Sequence, residues 1–85
     1  NIQNVRVSIA EIFKIALMSN ASQIIVAHNH PSGVLEITEA DVSMTKNIGM
    51  VAKLFDIQLL DSLIVNSKEE IISIREDMFR EKINA

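Results

Sequence analysis

The stretch Ala27-His28-Asn29-His30-Pro31-Ser32-Gly33 decides how this chain is read. It holds both histidines, the only proline and one of the two glycines among 85 residues. The run before it, Gln23 to Ala27, is short and apolar with β-branched residues, which predicts a buried strand leading straight into the histidines. In an extended chain, residues two apart project to the same side, ~6.6 Å apart along the strand. His28 and His30 can therefore aim two imidazoles at one point at the strand's exit. Pro31, Ser32 and Gly33 then predict a turn, with a loop continuing to Ile37.

Thr38 is an N-cap candidate for a helix from Glu39 to Phe55, with Val42, Thr45, Ile48, Gly49, Val51, Ala52 and Phe55 facing inward. Gly49 costs such a helix ~1 kcal/mol relative to Ala, and close packing on a sheet is the expected reason for it. Asp41 falls in the first turn, where the positive helix end favours an anion. Zinc is held by imidazole nitrogen at ~2.0 to 2.1 Å, and a catalytic site typically has three protein ligands and one open position. His28, His30 and Asp41 are the candidate ligand set. Plainer readings stand beside it: a polar turn without metal, Asp41 as an N3 capping carboxylate, and Thr38 as a cap alone.

Further out, Ser8-Ile9-Ala10-Glu11 spells a capping box, and Ile9, Ile12, Phe13, Ala16 and Leu17 form an apolar stripe on a helix from Ile9 to Ser19. Asn20, Ala21 and Ser22 break it. Ile57 to Val65 predicts a second buried strand, interrupted at Asp61 and Ser62. After a turn at Asn66-Ser67-Lys68, Ile71 to Ile74 predicts a third strand, and Glu76 to Ile83 a short charged helix or tail. The order helix, strand, helix, strand, strand predicts a single α/β domain with helices packed on a mixed sheet.

Composition narrows the function classes. Eight Lys and Arg against eleven Asp and Glu give a net charge of -3, with the basic residues scattered. A duplex-binding surface needs clustered cations, so direct DNA binding by this segment is not expected. The apolar runs are far shorter than the ~20 residues of a membrane span, no signal peptide is visible, and the lack of Cys fits a reducing compartment. The expected location is cytoplasmic. The chain starts at Asn1 without Met, as a piece of a longer protein would.

The stretch His28-Asn29-His30-Pro31-Ser32-Gly33 followed by Thr38-x-x-Asp41 resembles the JAMM metal motif of JAB/MPN domains, and its wording is similar to the RadC family of bacterial JAB-domain proteins. Val7-Ser8-x-x-Glu11-Ile12-Phe13-Lys14-x-Ala16-Leu17 resembles that family's helix before the metal strand, and Leu59-Leu60-Asp61-x-Leu63-Ile64-Val65 its later strand. The resemblance implies an α/β sandwich related to cytidine deaminases, here N-terminally truncated. It implies zinc on His28, His30 and Asp41, and a water activated for attack on a peptide or isopeptide carbonyl. The family's serine, whose hydroxyl helps stabilise the oxyanion, falls at Thr38. Its general-base glutamate is expected upstream of residue 1, with Glu11 and Glu36 the nearest internal substitutes. Ser62 stands where RadC-like sequences usually carry His, and Asp61 beside it is expected to close a turn.

The implied function is a zinc-dependent hydrolase acting on a peptide or protein substrate. The alternative is a catalytically inert JAB-type protein-interaction module. The RadC name also carries a historic link to DNA repair, which the charge does not support. A zinc deaminase needs a Cys pair and a His-x-Glu, and this sequence has neither. Missing upstream strands expose a sheet edge, so self-association is expected.

Overall fold

The computed structural model describes residues 8–30 and 32–78. The elements are α1 (Ile9–Met18), β1 (Gln23–Asn29), α2 (Glu39–Leu54), β2 (Gln58–Val65) and β3 (Ile71–Ser73), followed by helical residues 74–78. The turn contribution of Pro31 and the tail expected over 79–83 lie outside the described residues. Within them, no helix is long and apolar enough to cross a membrane.

Both helices begin where their caps predict. The Ser8 hydroxyl accepts from the Glu11 amide at 3.2 Å, opening α1. At α2 the capping box is complete: Thr38 Oγ1 accepts from the Asp41 amide at 3.2 Å, and the Asp41 carboxylate accepts from the Thr38 amide at 2.8 Å. Each helix is followed by a residue in the left-handed region, Asn20 (φ 54°) and Asp56 (φ 55°), which lets the chain turn at once into a strand.

The sheet has the order β1-β2-β3, with β1 parallel to β2 and β3 antiparallel to it. It is an α/β fold with a mixed sheet. The core joins Phe13 and Ala16 of α1, Ile48 and Ala52 of α2, and Ile57, with Ile24, Val26 and Leu59 packed against them. Side chains alternate faces along a strand, so the sheet face carrying Ile24 and Val26 under the helices also carries His28, two residues further on.

Several local expectations need correction. β1 is half-buried on one face and open on the other, where Ile25 is 58% exposed. β2 is not interrupted at Asp61 and Ser62. Its parallel ladder with β1 continues through both residues, and a bulge at Leu60 absorbs the irregularity: Ile24 pairs with Leu59, and Ile25 with Asp61. β3 ends at Ser73, because Ile74 already belongs to the next helical turn. Leu17 (48% exposed) and Phe55 (45%) fall on the predicted apolar stripes but remain largely open, since each sits at the end of its helix. Phe55 retains a tilted contact with Phe13, ring centroids 5.9 Å apart. Gly49 does not mark a forced close approach. A Cβ there would meet Leu59 Cδ2 at 3.8 Å, an ordinary contact.

Candidate metal centre

Three elements place the site. His28 is the penultimate residue of β1, and His30 follows the strand's last residue. The chain then reverses in a turn closed by the Gly33 amide on the His30 carbonyl at 2.9 Å. Gly33 sits at φ 76°, in the left-handed region where glycine carries no Cβ penalty. The loop from 34 to 37 returns the chain to Thr38, whose cap starts α2 over the end of β1 and sets Asp41 against both imidazoles.

The contacts are direct. His28 Nε2 lies 2.9 Å from Asp41 Oδ1. His30 Nε2 lies 3.1 Å from Oδ1 and 3.0 Å from Oδ2, sharing its hydrogen bond between the two oxygens. The rings stand 5.3 Å apart and are tilted by 46°. Oδ2 also accepts the Thr38 amide and the Thr38 hydroxyl, each at 2.8 Å. Asp41 is 6% exposed.

Burial alone raises the pKa of a carboxyl group. Here that effect is outweighed by the Thr38 amide, the Thr38 hydroxyl and the His30 and His28 contacts, and Asp41 is lowered to about 2. It is therefore ionised, and an ionised carboxylate only accepts. Each Nε2 must then supply the hydrogen. A neutral imidazole can carry that hydrogen on Nδ1 instead, presenting a lone pair at Nε2.

The cap and the imidazole contacts, which compete for Asp41 in the sequence, thus meet on one carboxylate. Oδ2 closes the capping box and takes part of the His30 contact, while Oδ1 meets both imidazoles and has no part in the cap. The three donor atoms lie within 4.8 Å of one another, and this is the only such cluster of His, Cys, Asp and Glu among the described residues. Tetrahedral zinc with bonds of ~2.0 to 2.1 Å sets its ligand atoms ~3.3 Å apart. The two nitrogens lie 2.9 and 3.1 Å from Oδ1, and all three atoms, within 4.8 Å of one another, fit a divalent ion after local adjustment.

Thr38 adjoins the cluster, where its hydroxyl donates to Asp41 Oδ2 at 2.8 Å and holds the carboxylate. The other candidates fall elsewhere. Glu11 and Glu36 are both exposed, and neither hydrogen-bonds to the cluster among the described residues. Asp61 does not close a turn. From the middle of β2 it accepts the Ser62 amide at 2.7 Å, the Ser73 hydroxyl at 2.7 Å and the Arg75 amide at 3.2 Å, anchoring the start of the last helical segment. Ser62 is fully buried. The sequence carries no local signal for this Asp61 anchor, whose partners Ser73 and Arg75 lie 12 and 14 residues away.

A family model for the RadC-like JAB domain matches residues 1–79. This chain belongs to that family. It is 47% identical over 75 residues to a UPF0758 protein of Acidithiobacillus ferrooxidans, covering 88% of this chain and 33% of the relative. It is 44% identical over 69 residues to a UPF0758 protein of Finegoldia magna, covering 81% of this chain and 30% of the relative. The chain thus spans about a third of the length of the curated relatives it matches. In this RadC-like JAB domain the hexapeptide His28 to Gly33 supplies two imidazoles and the turn, and the Thr38-x-x-Asp41 box supplies the carboxylate.

Proposed function

We propose that this domain is a zinc-dependent hydrolase of the JAMM type that cleaves peptide or isopeptide bonds in a protein substrate. The observation that carries the reading is the convergence of His28 Nε2 and His30 Nε2 on one oxygen of Asp41, an oxygen left free by the capping box. His28 and His30 would hold zinc through Nε2 and Asp41 through Oδ1, leaving one position open. When bound there, zinc lowers the pKa of a water and polarises a carbonyl oxygen.

The chain's own residues prepare that chemistry. Asp41 brings a full negative charge at any working pH, because its carboxyl is held at about 2. Thr38 fixes the carboxylate from two directions, so the ligand oxygen needs little reorganisation. Among the described residues neither Glu11 nor Glu36 hydrogen-bonds to the cluster, and the general base comes, on this reading, from the part of the relatives' length that this chain does not span. Charge disfavours DNA as the direct partner. β1 is an edge strand of the described sheet and takes a second chain, so the isolated domain self-associates. Sedimentation at rising concentration checks this, and a monomer throughout contradicts it.

The activity is tested with a longer protein that includes the preceding sequence, given a panel of peptide and isopeptide substrates with zinc. Cleavage that stops with a chelator and with Asp41→Ala supports the hydrolase. A zinc-loaded but inert protein supports the interaction module instead.

A further inference from the structure

Two hydroxyls on the elements that carry the cluster are buried without a partner. Thr45 Oγ1 and Ser62 Oγ have no hydrogen-bond partner among the described residues. Ser62 is 0% exposed. A buried hydroxyl left unpaired costs ~1 to 3 kcal/mol, and proteins usually meet such groups with an internal water making two to four hydrogen bonds.

Register brings the two hydroxyls to the same depth. Ser62 pairs with Val26 in the parallel ladder, and His28 pairs with Ile64. Ser62 therefore stands on the helix-covered face, two residues behind the level of His28. On α2, Thr45 follows Asp41 by one turn, on the line that Asp41, Ile48 and Ala52 bury against the sheet. Four helical residues rise ~6 Å and two strand residues ~6.6 Å. With Asp41 above His28, Thr45 comes to lie above the Val26–Ser62 pair. A helical threonine can turn its hydroxyl to the carbonyl four residues back. Here that carbonyl is Asp41's, and the bond is not made. Thr45 and Ser62 do not bond each other either.

We propose that Thr45 and Ser62 share one buried water that ties the second turn of α2 to β2, immediately behind the His28–His30–Asp41 cluster. The water donates to one hydroxyl and accepts from the other. Thr45 and Ser62 are positioning residues: they fix the height of α2 over β2, and with it the approach of Asp41 to the imidazoles. The inference stands on packing alone and does not depend on zinc being the ligand of the cluster.

A double-mutant cycle on the intact chain tests it, with Thr45→Val, Ser62→Ala and the pair compared by chemical denaturation. Each single variant leaves the water short of a partner and lowers the folding equilibrium constant about tenfold; the double variant loses no more than either single one, and Thr45→Ser restores most of the loss. Strictly additive or negligible effects overturn the proposal, because they indicate hydroxyls that act independently. Water-to-protein magnetisation transfer on the unmutated chain provides a readout that needs no variant to fold. A long-lived water next to the Thr45 methyl and the Ser62 β-protons is expected, and its absence overturns the proposal equally.

Discussion

Asp41 and Asp61 are two carboxylates with similar housekeeping and different prospects. Each accepts a nearby backbone amide and a hydroxyl: Thr38 provides both to Asp41, while Ser62 and Ser73 provide them to Asp61. Each anchors the start of a helical segment. They differ in the remaining partners. Asp61 adds the Arg75 amide, whereas Asp41 adds two imidazoles. An amide cannot move its hydrogen aside, but a neutral imidazole can, offering a lone pair in its place. A buried, hydrogen-bonded carboxylate is therefore an ordinary structural part, and it becomes a candidate ligand only when its other neighbours can also turn into donors to a metal.

The largest effect that could break this comparison is on metal uptake. Asp41→Ala removes the shared oxygen and abolishes zinc binding, while Asp61→Ala leaves binding intact and costs ~1 to 3 kcal/mol of stability through its orphaned amides and hydroxyl. Mass spectrometry of the two proteins after zinc exposure, with denaturant melts alongside, measures both. Equal loss of zinc in the two variants erases the distinction. Acidification also releases the metal from the unmutated chain, because imidazole must shed its proton to ligate.

Next in size is the pH dependence of folding without metal. The folded-state pKa of Asp41 is depressed from 3.8 to about 2. Its contribution, about 2 kcal/mol, is therefore fully present above pH ~4 and is lost as the pH falls from there to ~2. Urea midpoints measured from pH 5 to 2 follow this loss, and Asp41→Asn flattens the profile in that window. An unchanged profile in that variant contradicts the origin assigned to the shift.

Thr38→Val sharpens the comparison by removing the hydroxyl that holds Oδ2. It costs ~1 kcal/mol as a lost cap and raises the Asp41 pKa. Thr38→Ser keeps both near their original values, as read by carboxyl NMR titration. The smallest effect is at Gly49, where the Cβ contact of 3.8 Å leaves room for alanine. Gly49→Ala stabilises the protein by ~1 kcal/mol; a loss in thermal denaturation instead means that Leu59 cannot yield.

Much of the candidate site is legible in the sequence because it is built from local rules. The two-residue spacing of His28 and His30 fixes their common face, and Thr38-x-x-Asp41 fixes the capping box that orients the carboxylate. Neither rule reveals that Oδ1 meets both imidazoles while Oδ2 serves the cap and His30 together, which depends on how the start of α2 sits over the end of β1. The element order and the two helix starts follow from caps and periodicity. The continuity of β2 does not, since Asp61 and Ser62 are poor strand formers held in line by the β1 ladder and, for Asp61, by the Ser73 hydroxyl and the Arg75 amide. Leu17 and Phe55 obey the helical period yet stay open, because periodicity marks a face but not what covers it.

The central claim is that two imidazoles and one carboxylate oxygen form a single ion-binding position. Zinc stoichiometry of the intact chain, determined after saturation and desalting at neutral pH, tests it most directly. The account predicts close to one zinc per chain, falling to background in His28→Ala and Asp41→Ala. A folded chain that retains no zinc, or retains it unchanged in both variants, contradicts it.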